Sequence, residues 1–174
     1  MSEMLKWIET TGGPHVLIPH ELVFSWKGVT GWFDNADPLD QSDYARACRV
    51  SSWLGMVSCG AGDAVVLSGD VGAMAWLSEI QSLVLWIASD GENYILEAAR
   101  NGKLLNVLSG SDIEELTFST GRSGAMHLFD SSNSADAPIK EREILLLSPG
   151  RYTIRSGYFK DAHSILVVHR ILPA

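Results

Sequence analysis

Residues 143–171 read EILLLSPGRYTIRSGYFKDAHSILVVHRI. Three strand-like runs in this segment, EILLL, RYTIRS and SILVVHRI, are separated by the tight turn SPG and by the longer connection GYFKDAH at 157–163. Runs rich in branched aliphatic residues and bounded by turn residues are typical of β-strands. Strands that are joined by short turns pair antiparallel. The segment therefore predicts an antiparallel sheet with strands at 143–148, 151–156 and 164–171.

The same pattern continues towards the N-terminus. Leu116 and Phe118 alternate with polar residues over 116–119, and the pattern resumes at 125–130 after the turn TGRSG. Farther upstream, LGMVSC and AVVLS flank GAG and predict a hairpin, while the apolar run at 82–88 predicts a buried strand. Strands therefore dominate the chain, and the last third is predicted to be mainly strand.

Two short helical segments are predicted in the first third. Residues 20–27 place Leu22 and Trp26 four residues apart, on one side of a helical turn that ends at Gly28. A short helix is expected from about 40 to 49.

A third helix is predicted at 92–100. Ser89 and Glu92 have the spacing of a capping box before it, and Asn101-Gly102 ends it. With 174 residues, the chain has the size of one ordinary domain. The predicted fold is α+β, a single domain over 1–174 that is dominated by antiparallel strands and carries two or three short helices.

The composition limits which classes of partner and which cellular compartment we expect for the protein. The net charge of −8 argues against a nucleic-acid binder, which needs clustered lysine and arginine, and it permits a basic protein partner. The N-terminus lacks a secretory signal, and 71–88 is too polar for a membrane span, so we expect a cytoplasmic protein without a membrane partner. Cys48 and Cys59 are expected to be buried free thiols, because two cysteines form no disulfide framework.

Catalytic and cofactor motifs are missing from the sequence. It has no nucleophile elbow, no phosphate-binding loop and no dinucleotide fingerprint. The histidines lack metal-ligand spacing, and His169 lies in an apolar run that predicts a hydrogen-bonded core or edge histidine. We therefore expect no catalytic residue, no cofactor and no metal, and we predict that the protein is not an enzyme.

The segment 28–43, GVTGWFDNADPLDQSD, contains the most suggestive surface residues. It combines two large aromatics with four carboxylates and has no basic residue: Trp32, Phe33, Asp34, Asp37, Asp40 and Asp43. Aromatic residues beside acidic ones on a loop are typical of protein-binding surfaces. These six residues are the predicted partner-binding site. In the other interpretation, Trp32 and Phe33 fold back onto the core.

The sequence also resembles a known protein family. It rests on features spread over 7–90: Trp7, Gly12-Gly13-Pro14, Pro19, Trp26-x-Gly28, Asp43-Tyr44-x-Arg46-Ala47-Cys48, Gly55 and Ala75-Trp76. With these features the chain resembles the immunity protein 21 family of bacterial polymorphic toxin systems. The resemblance implies a small cytosolic protein that binds and blocks a cognate toxin, and it supplies no catalytic residues.

The leading hypothesis is an immunity protein that neutralises its toxin by stoichiometric binding. Two alternatives stay open. One is a ligand-binding β-domain with a Trp-lined pocket, which a deep apolar cavity with a few convergent polar groups would favour. The other is an enzyme without a recognised motif. A flat or convex acidic surface would favour the inhibitor.

Overall fold

The computed structural model describes residues 5–30, 42–69, 71–134, 139 and 141–174. Within these residues, ten strands alternate with short helical segments. The strands are β1 (His15–Pro19), β2 (Leu54–Cys59), β3 (Gly62–Leu67), β4 (Ala73–Leu77), β5 (Ser82–Ser89), β6 (Glu114–Ser119), β7 (Ala125–Asp130), β8 (Glu143–Leu146), β9 (Arg151–Lys160) and β10 (Ser164–Pro173).

The strands form two antiparallel sheets of five strands each. Sheet I has the order β2-β3-β1-β7-β8, and sheet II has the order β4-β5-β10-β9-β6. Neighbours in the chain often pair, as in the hairpins β2–β3 and β9–β10. Other pairs join distant segments, because β1 lies between β3 and β7.

Among the described residues, six helical segments accompany the sheets. The α-helices are α1 (Asp43–Cys48), α2 (Glu92–Arg100) and α3 (Lys103–Asn106). Three 3-10 helices lie at His20–Ser25, Ser78–Ile80 and Val107–Ser109. In α2 the buried residues are Ile95, Ala98 and Ala99, which the helical repeat places on one face.

The main core lies between the two sheets. Leu17 and Val65 of sheet I and Leu85 and Val167 of sheet II are among its buried members. Side chains of a strand alternate between its two faces. Val16 and Ile18 therefore point away from this core and form a second one.

Each sheet is also covered on its outer face. Over sheet I, the 3-10 helix His20–Ser25, the following turn and α1 contribute Val23, Trp26 and Ala47. Over sheet II, the helical segments contribute buried residues that include Ile95, Leu104 and Leu108. Strands that are covered on both faces become continuously apolar, which explains why every residue of β1 is buried.

The predicted α+β class is confirmed, and so is the single domain dominated by antiparallel strands. The helix predicted at 92–100 matches α2. Strands occupy the last third at the predicted places, and β7–β8 and β9–β10 pair antiparallel. Four boundaries differ: β6 begins at Glu114, β8 ends at Leu146, β9 continues to Lys160 through the predicted connection, and β10 continues to Pro173.

Packing explains why β9 continues through a glycine that looked like a break. A Cβ on Gly157 would lie 3.1 Å from Leu108 Cδ2 and 3.1 Å from Val107 Cγ2. The 3-10 helix Val107–Ser109 therefore rests directly on the backbone of the strand. Glycine within a strand commonly marks such a close approach.

The capping box predicted for α2 was wrong. The N-cap residue is Gly91, and no side chain caps the helix. The hydroxyl of Ser89 instead lies 2.7 Å from the hydroxyl of Ser164 on the neighbouring strand β10. The Glu92 carboxylate accepts hydrogen bonds from the N-terminal segment, so both residues stabilise tertiary contacts.

Candidate partner-binding surface

The described residues on the two sides of the predicted binding loop lie close to each other. Val29 donates its backbone N–H to Ser132 O at 3.2 Å, and Tyr44 donates its N–H to Gly28 O at 3.1 Å. Thr30 N–H closes a turn on Lys27 O at 3.0 Å. These contacts define a stem, made of residues 27–30 and 42–44, which are the described residues on either side of 31–41.

Five of the six predicted site residues lie outside the described residues: Trp32, Phe33, Asp34, Asp37 and Asp40. The sixth, Asp43, is the first residue of α1 and is only 9% exposed. Its carboxylate accepts the backbone N–H of Lys27 at 2.6 Å and pairs with the guanidinium of Arg46. Asp43 therefore ties the stem to α1.

The stem is also held by caps and a conformational constraint. Ser42 caps α1, because its hydroxyl accepts the N–H of Ala45 at 3.1 Å. Gly28 has φ +57°, and a Cβ there would lie 2.4 Å from Ser132 O and 2.5 Å from Asn133 O. Only glycine fits both the left-handed backbone and this close approach.

Exposed apolar side chains lie in the segment that leads into the loop. Phe24 is 71% exposed and Val29 is 44% exposed, whereas Trp26 between them is fully buried and donates its Nε1–H to Ser131 O at 2.9 Å. Exposed aromatics are typical anchors of protein interfaces. Sequence-based reasoning did not identify Phe24 as a contact residue. A helical turn that places Leu22 and Trp26 on one side places Phe24, which is two residues from each, on another side.

A cavity of about 480 Å³ opens on the other side of the same 3-10 helix. We call it the edge cavity, since it lies where β2 of sheet I and β6 of sheet II approach. Its lining combines apolar side chains, turn residues and the charged residues Glu21, Asp63 and Arg122. The other lining residues are Pro19, Leu22, Met56, Ala61, Gly62, Phe118, Ser119 and Gly121.

This cavity bears on the ligand-binding alternative. Its volume falls in the range of small-molecule sites, but its lining, which consists of described residues, contains no tryptophan. Trp53 lines a different cavity of about 360 Å³, together with serines and Glu114. The Trp-lined pocket of that alternative is thus not the edge cavity.

Among the described residues, His15, His127 and His169 are buried. His169 is fully buried, with its Nδ1 2.6 Å from the Ser156 hydroxyl, and burial lowers its pKa to about 3. His127 is also buried, its Nε2 lies 3.0 Å from Nδ1 of His20, and burial lowers its pKa to about 4. These values hold both rings neutral near pH 7. The expectation of a core or edge histidine at 169 is confirmed.

His15 is buried as well, and its Nε2 lies 2.8 Å from the backbone oxygen of Ile8. Burial lowers its pKa. In the part of the chain that the structure describes, no three side chains of histidine, cysteine, aspartate or glutamate form a group that could hold a metal ion.

The two cysteines differ from each other. Both are free, but Cys48 is exposed at the end of α1, so the expectation that both thiols are buried was wrong for it. Cys59 is buried, and desolvation raises its pKa to about 11. The error arises because Ala47, the neighbour of Cys48, supplies the buried face of this short helix.

Comparison with known protein families identifies the family of this chain. The family model of immunity protein 21 matches residues 6–164, which is most of the 174-residue chain. The chain belongs to the immunity protein 21 family. The match extends well beyond the 7–90 of the sequence resemblance and includes all ten strands at least in part. No curated protein and no solved structure matches the chain.

The motif residues of the immunity protein 21 resemblance have packing roles here. A Cβ on Gly13 would lie 2.4 Å from the Tyr44 ring, and the oxygen of Pro14 accepts both the N–H and the hydroxyl of Ser131. Trp26 fills the core over sheet I. These residues specify the fold around the stem.

Family membership implies an immunity protein of toxin systems, with a toxin as partner, and suggests a non-enzymatic role. Among the described residues, no helix is both long enough and apolar enough to cross a membrane.

Proposed function

We propose that this protein neutralises a cognate bacterial toxin in the cytoplasm by forming a stoichiometric complex with it. The match of residues 6–164 to the immunity protein 21 family is the observation that carries the proposal. The net charge of −8 supports a basic toxin, since opposite charge accelerates the encounter of two proteins.

The proposed contact region is the loop that holds Trp32, Phe33, Asp34, Asp37 and Asp40, with Asp43 fixing its stem. Three features of described residues support this choice. The stem is hydrogen-bonded on both sides, which reduces the entropy that binding would cost. Phe24 and Val29 add exposed apolar area next to it in sequence. The Asp43 carboxylate stabilises the stem, so its role in binding is that of a positioning residue.

The test needs the toxin itself, sought as the product of the neighbouring gene. Its toxin domain is expressed in a bacterial host with and without this protein, and survival is scored. The purified pair is then measured by calorimetry and light scattering. We expect protection, and a complex with one fixed ratio. A toxin that stays active and shows no complex at micromolar concentrations would refute the proposal.

Two loop variants test the contact region. Trp32→Ala removes an aromatic anchor and should mainly speed dissociation, by about 30-fold or more. The triple variant Asp34→Asn, Asp37→Asn and Asp40→Asn should mainly slow association and reduce its dependence on salt.

A charge-matched control is available on the opposite side of the fold. Glu79, Glu97 and Asp112 are exposed, and they lie on or near the helical segments that cover sheet II. Changing them to Gln, Gln and Asn alters the net charge by the same amount. If this control weakens binding while the loop variants leave it unchanged, the interface lies in the acidic region 59–116 instead.

A further inference from the structure

We propose that an arginine side chain of the toxin inserts into the edge cavity and forms a second anchor of the complex. The inference rests on the proposed function, because it requires a protein partner. It assigns a contact to residues of the 3-10 helix and of two turns, none of which belongs to the predicted loop.

Three separate segments build the walls of the edge cavity, and each is fixed to the next. Glu21 Oε1 accepts the N–H of Ser123 at 2.6 Å, which ties the 3-10 helix to the β6–β7 turn. The Cys59 thiol donates to Leu22 O at 3.7 Å. A Cβ on Gly62 would lie 2.8 Å from Leu22 Cδ1, so the β2–β3 turn rests on the same helix. A site held in this way needs little reorganisation to bind.

Part of the cavity lining is apolar. Leu22, Met56 and Phe118 contribute side chains to its lining, and Met56 is 41% exposed although it lies on a strand. Methionine is a flexible and polarisable side chain that adapts to an incoming group. The lining thus suits the aliphatic stem of a long side chain.

The β2 edge disfavours an added strand as occupant. On either side of Met56, backbone groups on this edge already have side-chain partners: Leu54 N–H donates to Glu114 Oε2 at 3.0 Å, and Ser58 O accepts Arg46 Nη1 at 2.9 Å. Natural proteins protect sheet edges by such coverage. A partner therefore gains more by placing one side chain beside Met56 than by pairing along β2.

Charge selects a cation among the possible occupants. The lining contains the carboxylates of Glu21 and Asp63 and a single base, Arg122. The two carboxylates outnumber the one base, so the lining has a formal charge of −1, which disfavours an anionic ligand and favours a guanidinium. Arginine combines that head with an aliphatic stem, and it is enriched among the residues that dominate binding energy. The whole chain, at −8, favours the same sign.

The cavity and the stem of the proposed contact region are joined by one short segment of the chain. Glu21 and Leu22 line the cavity, the exposed Phe24 follows on the same 3-10 helix, and the stem of the loop begins at 27. A partner that contacts this segment therefore reaches residues next to both the cavity and the stem. Two such anchors on one partner would act jointly.

The first experiment measures toxin binding to three cavity variants. Asp63→Asn keeps an oxygen for the 3.2 Å contact with the Ser58 hydroxyl and should weaken binding about 5-fold, as loss of one partially exposed charge pair does. Arg122→Gln should tighten binding about 2-fold by removing a like charge. Ala61→Trp should obstruct the cavity from its rim and weaken binding at least about 30-fold.

Ser111→Trp is the matched control for the bulky variant, because it adds the same side chain at an exposed position outside the cavity lining. It should bind as the parent does. The opposite signs predicted for Asp63→Asn and Arg122→Gln are the sharpest readout. Weaker binding of Arg122→Gln would indicate an acidic occupant and overturn the proposal.

The second experiment needs no toxin. The ¹³C-labelled methyl group of Met56 is followed by NMR while butylguanidinium or butyrate is added as a probe. We expect a saturable shift with butylguanidinium that Ala61→Trp abolishes, and none with butyrate. Equal shifts with both probes would indicate a small-molecule site without charge selection, and a shift with butyrate alone would indicate an anion site. Either result contradicts the proposal.

Failure of this inference can be distinguished from failure of the proposed function. If the parent protects and binds but the cavity variants match it, the toxin is bound elsewhere and only the second anchor is refuted. If the parent neither protects nor binds, the proposed function itself fails.

Discussion

The carboxylate of Glu92 accepts a 2.7 Å hydrogen bond from the indole Nε1 of Trp7, 85 residues earlier in the chain. Its other oxygen accepts the backbone N–H of Leu5 at 3.3 Å. The Trp7 ring in turn packs edge-on against Trp86, at 5.0 Å between centroids. One carboxylate at the start of α2 thus secures the N-terminal segment against sheet II.

Glu92→Ala is expected to lower the free energy of unfolding by about 2 kcal/mol, because two hydrogen bonds to a charged acceptor are lost. Glu97→Ala, at an exposed position of the same helix, should change it by less than about 0.5 kcal/mol. Urea unfolding followed by tryptophan fluorescence measures both. Equal effects of the two variants would mean that the Glu92 contacts contribute nothing to stability.

Ser89 provides a second test of tertiary contact against helix capping. Its hydroxyl lies 2.7 Å from that of Ser164, so we expect Ser89→Ala and Ser164→Ala each to cost about 1 kcal/mol. The double variant should cost no more than about the larger single loss, since both substitutions remove one bond. Strictly additive losses in urea unfolding would argue against the pair.

Ser89 and Glu92 show which contacts sequence-based reasoning can predict and which it cannot. Local periodicity was sufficient to locate α2 and most strands, because burial of one face imposes a repeat on the residues themselves. It assigned Ser89 and Glu92 to each other, since only neighbours in the chain are visible to such reasoning. Their actual partners, Ser164 and Trp7, become neighbours only after the sheets have formed.

The candidate site was likewise predictable only in part. The composition of 28–43 predicted a loop that could bind a protein, and the stem at its two ends follows from tertiary hydrogen bonds that no spacing encodes. The edge cavity could not have been predicted, because Leu22, Met56 and Phe118 come from three distant segments and from both sheets. Phe24 was accessible to prediction from the helical turn alone.

Acid should destabilise the fold through its buried histidines. The pKa of His127 is lowered to about 4 and that of His169 to about 3, both by burial, and burial also lowers the pKa of His15. As the pH falls below about 6.5, these imidazoles bind protons in the unfolded chain and stay neutral in the folded chain. The free energy of unfolding should therefore fall with decreasing pH.

Between pH 6.5 and pH 5 the loss should be roughly 1.5 kcal/mol for each of His127 and His169. Urea unfolding at several pH values measures the slope, and His169→Gln and His127→Gln should each flatten it. An unchanged slope in both variants would show that these rings titrate alike in the folded and unfolded chains.

The two thiols should differ in reactivity. Cys48 is exposed, whereas Cys59 is buried with its pKa raised to about 11, so little reactive thiolate forms at Cys59 near pH 8. We expect iodoacetamide to label one thiol in the folded protein and two after unfolding. Cys48→Ser should abolish labelling of the folded protein in a mass measurement. Equal labelling rates at the two positions would contradict the burial of Cys59.

Gly28 offers the most direct link between fold and proposed function. Its φ of +57° is unfavourable for any residue with a Cβ, and a Cβ there would lie 2.4 Å from Ser132 O. Gly102 has a similar φ of +71° with no atom within 4 Å of an added Cβ. Gly102→Ala should thus cost only the left-handed conformation, about 1 kcal/mol. Gly28→Ala should cost about 3 kcal/mol, because backbone at 132–133 must also move.

The displacement caused by Gly28→Ala would occur at the stem, where Val29 bonds to Ser132 O and Tyr44 bonds to Gly28 O. If the toxin contacts the loop that this stem holds, Gly28→Ala should weaken toxin binding at temperatures at which the variant is still folded, and Gly102→Ala should not. Urea unfolding and calorimetry with the purified toxin domain separate the two effects. Parent-like affinity in a folded Gly28→Ala variant would mean that binding does not depend on the stem, and the contact region would then have to lie elsewhere.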